Sequence, residues 1–267
     1  MVFGLNKISW ALRRHPLLYI TRFRLLSKNS TIKKLDDDYY NIENNKATIP
    51  SLFYEVNEII FKEGKPNSDL DKAISIALWL KKNIKGGKGL SLASEEALKA
   101  MINGNGGVCS DMSQIFNNFC VINDIKVREW GITMIPFDKK YGGHSTNEIF
   151  SKELDKWVLI DVSKSILFYY EKKREPLSLF EVYTSNFSHN YYTFLEKNID
   201  DVQIQNYYYN KKASPFLISK YNNSIYDKYL KSLDTKFPVF VIHFFIYLSG
   251  KSYSYKFPLN DYKNMFR

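Results

Sequence analysis

The chain has 267 residues, of which 45% are hydrophobic and 25% charged, and its formal net charge is +10. This is the composition of a globular protein with ample material for a core, and it excludes a disordered or low-complexity chain. The two cysteines exclude a disulfide framework and favour a reducing compartment. With no secretory signal visible, we expect a cytoplasmic location, either free or peripheral to a membrane.

The positive charge is concentrated in residues 1–35, where no acidic residue occurs. The rest of the chain is close to neutral. Tyr19, Phe23 and Leu26 have helical spacing, and Pro16 is expected to separate two short helices. A basic amphipathic segment of this kind can lie on an anionic membrane. The alternative is a helix packed on its own domain with a solvated basic rim, while nucleic acid is not an expected partner. The cations are Lys7, Arg13, Arg14, Arg22, Arg24, Lys28, Lys33 and Lys34.

Residues 36–102 predict a polar link and then three helices. The link ends at Pro50, and apolar residues at helical spacing follow over 51–62. Ser68 or Asp69 is expected to cap a second helix, which Gly86 and Gly87 end. Residues 94–102 then predict a short helix leading into a glycine-rich turn.

Cys109 follows that turn, Gly104-Asn105-Gly106-Gly107-Val108, and begins a new helical pattern. Because a helix N-terminus presents unpaired backbone N–H groups and the positive end of the helix dipole, it favours a thiolate over a thiol. Cys109 is therefore a candidate nucleophile. Cys120, on the apolar face of the same helix, is predicted to be an ordinary buried thiol.

His144 and Asp161 belong to two predicted strands, 144–150 and 157–162, which follow a strand at 125–135 and a loop at 136–143. If Phe150 pairs with Trp157, His144 lies opposite Ser163 and diagonal to Asp161 on the same face. A register closed by two residues makes His144 and Asp161 directly opposite, with Cβ atoms roughly 5 Å apart. A slip of one residue would place them on opposite faces.

These residues suggest a division of chemical roles. Cys109 would attack a carbonyl, His144 would take and return the proton, and Asp161 would orient the imidazole. The backbone N–H of Cys109 is the natural first oxyanion donor, and Asn105 is a candidate second donor because of its proximity. Tyr141 and Asn147 are candidates for the substrate cleft.

Beyond Ser165 the sequence is less informative, although 15 of the 20 tyrosines lie after residue 168. Residues 176–198 look helical, and 237–248 with 252–259 predict a β-hairpin. The longest apolar run, residues 239–248, is too short to span a bilayer as a helix. Tyrosines such as Tyr207-Tyr208-Tyr209 could form a binding wall, but biased codon use explains them as well.

Three motifs resemble the transglutaminase-like superfamily, which has a papain-like cysteine-enzyme fold. They are Gly-Gly-Val-Cys-Ser-Asp before a helix, Gly-His-Ser-Thr-Asn-Glu-Ile-Phe, and Trp-Val-Leu-Ile-Asp, and the resemblance covers residues 70–165. It implies an α+β core in which the nucleophile helix packs on an antiparallel sheet that carries the His and the Asp. Two departures are Val162-Ser163 where many members have Pro-Thr, and the lack of a Trp or Gln shortly before Cys109.

The expected organisation is a basic N-terminal helical extension (1–68), a catalytic core (69–167) and an aromatic-rich α/β extension packed on that core (168–267). The leading function is cleavage of an amide or ester bond of a peptide, amide or acyl substrate through a thioacyl intermediate. Acyl transfer to an amine is one alternative, and a catalytically inactive binding module of the same fold is another. No metal-ligand cluster or phosphate-binding loop is evident, so neither a metal nor another cofactor is expected.

Overall fold

The computed structural model describes residues 16–138, 143–170, 175–185, 190–193, 201–233 and 236–266. Within these ranges eight strands form one sheet in the order β1-β8-β7-β2-β3-β4-β5-β6. Neighbouring strands are antiparallel except for the parallel pair β1 and β8. The strands are β1 Ser27–Asn29, β2 Val127–Met134, β3 His144–Ser151, β4 Lys156–Asp161, β5 Ile166–Tyr169, β6 Asn190–Thr193, β7 Ala213–Ser219 and β8 Ser254–Phe257.

Helices cover this sheet, so the fold is α+β. They are α1 Pro16–Leu26, α2 Ser51–Ile60, α3 Asp69–Asn83, α4 Ser94–Ile102, α5 Cys109–Ile122, α6 Leu179–Thr184, α7 Asp201–Ile204, α8 Asn223–Leu233 and α9 Val239–Leu248. A π-helix, Gln205–Tyr209, continues α7 directly. None of the described helices is long and apolar enough to cross a membrane.

The predicted elements before Ser165 agree closely with the structure. Helix α3 begins where expected, because the Ser68 hydroxyl accepts the backbone N–H of Asp71 at 3.0 Å. Helix α5 begins at Cys109, and its apolar side joins a buried cluster that includes Phe116 and Phe119. The same cluster takes alternate residues of β3 and β4, including Ile149 and Val158. Helix α5 therefore packs on one face of the sheet.

The pairing of β3 with β4 is the first of the two registers that bring His144 and Asp161 to one face. Phe150 pairs with Trp157, and the ladder runs from Ser151 opposite Lys156 to Asn147 opposite Ile160. Continued past its end, this register sets His144 opposite Ser163 and diagonal to Asp161. Side chains of the same parity, such as Leu159, join the cluster on the side of the sheet opposite α5.

Two predictions in the C-terminal part are wrong. Residues 176–198 are not one helix, because the described part contains only α6 before strand β6. Residues 237–248 are not a strand but helix α9, which follows Pro238 and buries Val239, Ile242 and Ile246. A continuous apolar run has no alternation, so its sequence alone does not separate a strand from a buried helix.

The N-terminal segment is described from residue 16 onward, where a single helix, α1, begins at Pro16. Phe23 and Leu26 are buried in a third cluster with residues of α8, α9 and β8. Leu18 and Leu25 of the same helix are exposed. Strands from all three predicted segments of the chain thus belong to one sheet, and the three-part division stays a prediction.

Candidate active site

Cys109 is the first residue of α5. The turn before it is held by hydrogen bonds between the segments 86–88 and 106–107. The N–H of Gly87 donates to the carbonyl of Gly107 at 2.9 Å, and the N–H of Gly107 donates to the carbonyl of Lys88 at 2.8 Å. Gly106 has φ +134°, and a Cβ there would lie 2.7 Å from the Lys88 carbonyl oxygen. Only glycine permits this close backbone approach.

Asp111 completes the start of α5. Its Oδ2 accepts the N–H of Val108 at 2.9 Å and the N–H of Leu90 at 3.2 Å. The first contact caps the helix from its third residue, and the second ties the segment after Gly87 to the helix. These two hydrogen bonds therefore hold the backbone at Cys109 in a defined position.

His144 and Asp161 form a buried pair at one end of their strands. The His144 Nε2 atom lies 2.5 Å from Asp161 Oδ2, and the side chains are 4% and 0% exposed. The Asp161 carboxylate also accepts the Ser163 hydroxyl at 2.9 Å and the N–H of Lys164 at 3.0 Å through Oδ1. Because Asp161 occupies Nε2, the imidazole has Nδ1 left for another partner.

Two tyrosines from the π-helix hold this pair. The Tyr208 hydroxyl donates to Asp161 Oδ2 at 2.7 Å, and the Tyr208 ring meets the imidazole edge-on at 6.1 Å. The Tyr207 ring stacks on the imidazole with centroids 4.7 Å apart and an interplanar angle of 18°. Sequence reasoning missed both contacts, and the only signal was the run Tyr207-Tyr208-Tyr209.

The Cys109 thiol and the His144 imidazole lie close enough together for each to shift the pKa of the other. Burial acts to raise the pKa of the Cys109 thiol, but His144 and the backbone of Ser145 lower it below its usual value. Burial acts to lower the pKa of His144, but the charge and hydrogen bond of Asp161, reinforced by Cys109, raise it. Burial likewise opposes ionisation of Asp161, yet His144 keeps the pKa of that carboxyl below its usual value. The arrangement favours a thiolate beside an imidazolium.

Cys120 has the opposite environment. It is fully buried in the core below α5, where burial raises its pKa well above the usual value. The two cysteines therefore differ in setting as the sequence predicts.

A cavity of about 660 Å³ opens beside Cys109 and His144. Gln114, Glu129 and Arg22 contribute polar groups to its wall, and Phe216 and several tyrosines contribute aromatic ones. The Phe216 ring packs against Gly131, where a Cβ would lie 2.1 Å from a ring carbon. Gly131 thus makes room for the aromatic wall.

Glu129 is a buried acid in this wall. Its Oε2 accepts the side-chain amides of Gln114 at 2.7 Å and Asn117 at 3.0 Å. Burial, only partly offset by these two donors, raises the pKa of Glu129 to about 8. Sequence reasoning did not single out Glu129, Gln114 or Arg22.

The remaining predicted site residues have different outcomes. Asn105 is exposed, donates its backbone N–H to Ala100, and is not in the cavity wall. Asn147 does not line the cleft either, because it is fully buried and donates to Asn117 Oδ1 at 2.8 Å and to the Ser113 carbonyl at 3.2 Å. Because side chains alternate along β3 and Asn147 is three residues from His144, its side chain lies on the α5 side of the sheet. Tyr141 lies outside the described residues.

No group of three or more His, Cys, Asp or Glu side chains that could hold a metal ion occurs within the described residues.

Comparison with known proteins gives little. No protein-family model matches the chain, and no curated protein matches it. A solved structure from Cytophaga hutchinsonii, provisionally assigned as a cysteine protease, is 17% identical with a TM-score of 0.35. The match covers 51% of this chain and 45% of that one, so this chain spans less than half of its neighbour's length.

Proposed function

We propose that the chain is a cysteine-dependent enzyme that cleaves an amide or ester bond through a thioacyl intermediate. The observation that carries the proposal is the connected series Cys109, His144 and Asp161, in which the imidazole contacts the thiol and the carboxylate together. Such a series is the known way to activate a thiol and to return its proton to a leaving group.

Acylation would begin with attack of the Cys109 thiolate on the substrate carbonyl carbon. The negative charge would then develop on the carbonyl oxygen, close to the start of α5. No backbone carbonyl among the described residues is recorded as an acceptor for the N–H of Cys109, which makes this group the first candidate donor to that oxygen. Gln114, whose amide uses one N–H for Glu129 and lines the same cavity, replaces Asn105 as the candidate second donor.

His144 would complete both half-reactions. Its Nδ1 proton passes to the leaving amine or alkoxide as the C–N or C–O bond breaks, leaving the acyl group on sulfur. The neutral imidazole then takes a proton from water, the hydroxide attacks the thioester carbonyl, and the C–S bond breaks to restore the thiolate. Transfer differs only in that an amine replaces water, so hydrolysis, which needs one substrate pocket, is the simpler proposal.

The same observations support a papain-like or transglutaminase-like core. The nucleophile begins a helix that packs on an antiparallel sheet, and neighbouring strands supply the histidine and the aspartate. The order Cys109, His144, Asp161 along the chain is also that of the family the motifs resemble. This assignment concerns the arrangement of elements and leaves the substrate open.

We further propose that residues 1–35 hold the protein at an anionic membrane. The exposed Leu18 and Leu25 of α1 line one apolar cavity together with the exposed Phe244 of α9, and Arg24 adds positive charge. Deletion of residues 1–35 would also remove core residues, so the test is substitution of Leu18 and Leu25 by Ser in the full chain. Reduced sedimentation with anionic vesicles supports the proposal, and unchanged sedimentation rejects it.

The enzyme proposal is tested with a panel of chromogenic acyl amides and acyl esters and intact-mass detection of the acylated protein. Turnover by the native chain, with the added acyl mass on the peptide containing Cys109, is the expected result. Cys109→Ala should abolish both signals, whereas Cys120→Ala, a matched control in the core, should keep both. If Cys109→Ala retains turnover, the proposal is wrong. Added amine acceptors distinguish hydrolysis from transfer by the product released.

A further inference from the structure

Arg22 brings a positive charge into the wall of the cavity that contains Cys109. It belongs to α1, and its guanidinium donates to the Tyr253 hydroxyl and lies 5.8 Å from the Tyr253 ring centroid. Arg22 is solvent-accessible and also lines a neighbouring apolar cavity of about 350 Å³. The guanidinium therefore faces open space between α1 and the tyrosines of the C-terminal part.

No carboxylate among the described residues lies within 4.0 Å of this guanidinium. The acidic side chains in the same wall are occupied elsewhere, since Asp111 caps α5 and Glu129 accepts two amides. The Tyr253 hydroxyl accepts from the guanidinium, and Tyr226 and Tyr255 are also close enough to influence it. Because no carboxylate of the described chain neutralises it, the guanidinium is available to bind an anion that enters the cavity.

We propose that the substrate of Cys109 carries a carboxylate that Arg22 binds, which makes Arg22 a specificity-determining residue of the site. The inference rests on the proposed function, because it assigns the substrate class of the same cavity. With one amino group engaged by Tyr253, the guanidinium keeps several N–H donors in a planar fork. That fork matches the two oxygens of a carboxylate.

Apolar residues in the wall of the same cavity indicate the chemistry of the part of the ligand that joins its carbonyl to its carboxylate. Phe216, Ile218 and Tyr221 line the cavity, and Tyr221 stacks on Tyr226 with centroids 4.5 Å apart. Flat apolar surfaces of this kind contact hydrocarbon or aromatic groups. The substrate is thus an acyl compound whose reacting carbonyl and carboxylate are separated by an apolar spacer.

Paired thiol-alkylating probes test the proposal without knowledge of the natural substrate. The acids are iodoacetyl-glycine, its β-alanine and aminobutyrate homologues and iodoacetyl-aminohexanoate, and each is compared with its neutral primary amide. The Cys109 thiolate displaces iodide, so a C–S bond forms as the C–I bond breaks. We expect the native chain to react about tenfold faster with at least one acid than with its amide, the size of one charged hydrogen bond.

Variants of α1 separate Arg22 from the general positive charge. Arg22→Met should remove the preference for the acid, and Arg22→Lys should keep part of it. Arg24→Met is the matched control, because Arg24 lies two residues further along α1, over the Phe266 ring and outside the cavity wall. It changes the net charge equally and should keep the preference. An equal preference in native and Arg22→Met proteins would overturn the proposal.

A binding measurement separates this proposal from the proposed function. In Cys109→Ala protein, titration calorimetry compares the unreactive N-acetyl acids with the N-acetyl amides. Tighter binding of an acid that Arg22→Met removes supports the carboxylate site even if Cys109 proves unreactive, a result that would reject only the enzyme. Equal or absent binding of acids and amides rejects the carboxylate site, whatever the reactivity of Cys109.

Discussion

Tyr208 donates its hydroxyl to Asp161 Oδ2 at 2.7 Å, and the same oxygen lies 2.5 Å from His144 Nε2. The carboxylate oxygen that contacts the imidazole therefore also accepts a hydrogen bond from a second donor. Tyr208 is fully buried and approaches from the π-helix after α7, on the side of the sheet opposite α5. The C-terminal part of the chain thus supplies a positioning residue to the pair formed by β3 and β4.

Tyr208→Phe should lower kcat/KM by about tenfold, because the hydrogen bond it removes is made to a charged group. The proton resonance of the His144 ring N–H should also move, which a purely structural role would not cause. Tyr40→Phe is the matched control: it removes a buried hydroxyl that donates to Asn118 at 2.9 Å, far along α5. An effect of Tyr208→Phe on melting temperature alone would contradict a positioning role.

Asp161→Asn should fold and yet lose most of its activity. The amide oxygen can still accept Ser163 and Lys164, while the amide nitrogen would face His144 Nε2 and favour the tautomer protonated on Nδ1. That tautomer cannot take a proton from the thiol, and the corresponding change in a serine-protease triad costs about 10⁴ in kcat.

The measurement is kcat and melting temperature on the same preparation of the Asp161→Asn protein. Asp155→Asn, in the exposed β3–β4 turn, is the control and should alter neither value. Full specific activity in folded Asp161→Asn protein would show that Asp161 does not orient His144.

Much of the site before Ser165 follows from local sequence. The Ser68 cap, the glycines around Cys109 and the alternating residues of β3 and β4 act over short distances, so their sequence signals are strong. The parity of the β3–β4 pairing also follows, because only a shift by an even number of residues keeps His144 and Asp161 on one face. The choice between the two even registers does not follow from the sequence, and the structure shows the one that pairs Phe150 with Trp157.

Two of the contacts that sequence reasoning missed join distant parts of the chain. Tyr208 reaches Asp161 across 47 residues, and Arg22 reaches Tyr253 across 231. Neither pairing has a periodic signature. The prediction for Asn147 differs from the structure for another reason, because an odd separation from His144 places its side chain on the α5 side of the sheet, where it bonds to Ser113 and Asn117.

Glu129→Gln should change how stability depends on pH. The pKa of Glu129 rises from its ordinary 4.5 to about 8 in the folded chain, so the folded state retains a proton that the unfolded chain releases. The native protein therefore loses stability as pH rises from about 4.5 to about 8. Glutamine is neutral and keeps an oxygen for Gln114 and Asn117, so this loss should disappear.

Melting temperatures across this pH range test the sign. The melting temperature of Glu129→Gln relative to that of the native protein should increase as pH rises. Above the pKa of Glu129 this difference should become constant. Glu181→Gln is the control, because the backbone of Ser178 and Lys156 outweigh partial burial and keep the pKa of Glu181 below its usual value. Its carboxylate is therefore ionised in the folded and unfolded chains through most of this pH range, and the difference from the native protein should stay nearly constant. A constant difference between Glu129→Gln and the native protein would mean that Glu129 is ionised in the fold.

Gly106→Ala should disturb the Cys109 turn more than Gly104→Ala does. Both glycines have positive φ, at +134° and +72°, so alanine is strained at each. At Gly106 a Cβ would also lie 2.7 Å from the Lys88 carbonyl oxygen, whereas at Gly104 nothing lies within 4 Å. We expect Gly104→Ala to cost about 1 kcal/mol and Gly106→Ala about 2 to 3 kcal/mol.

Denaturant unfolding of the two glycine variants gives these free energies, and Cys109 alkylation reports the position of the thiol. Equal losses of stability with unchanged alkylation would show that the backbone approach at Gly106 does not fix Cys109.

The proposed mechanism requires above all that Cys109 is a thiolate stabilised by His144. The direct measurement is the rate of iodoacetamide alkylation against pH, with peptide mapping, in native and His144→Ala proteins. Cys109 should react quickly at mildly acidic pH while Cys120 stays unlabelled, because His144 lowers the pKa of the first thiol and burial raises that of the second. His144→Ala should return Cys109 to the slow reaction of an ordinary thiol at that pH. Equal labelling of the two cysteines, or an unchanged Cys109 rate in folded His144→Ala protein, would contradict the account.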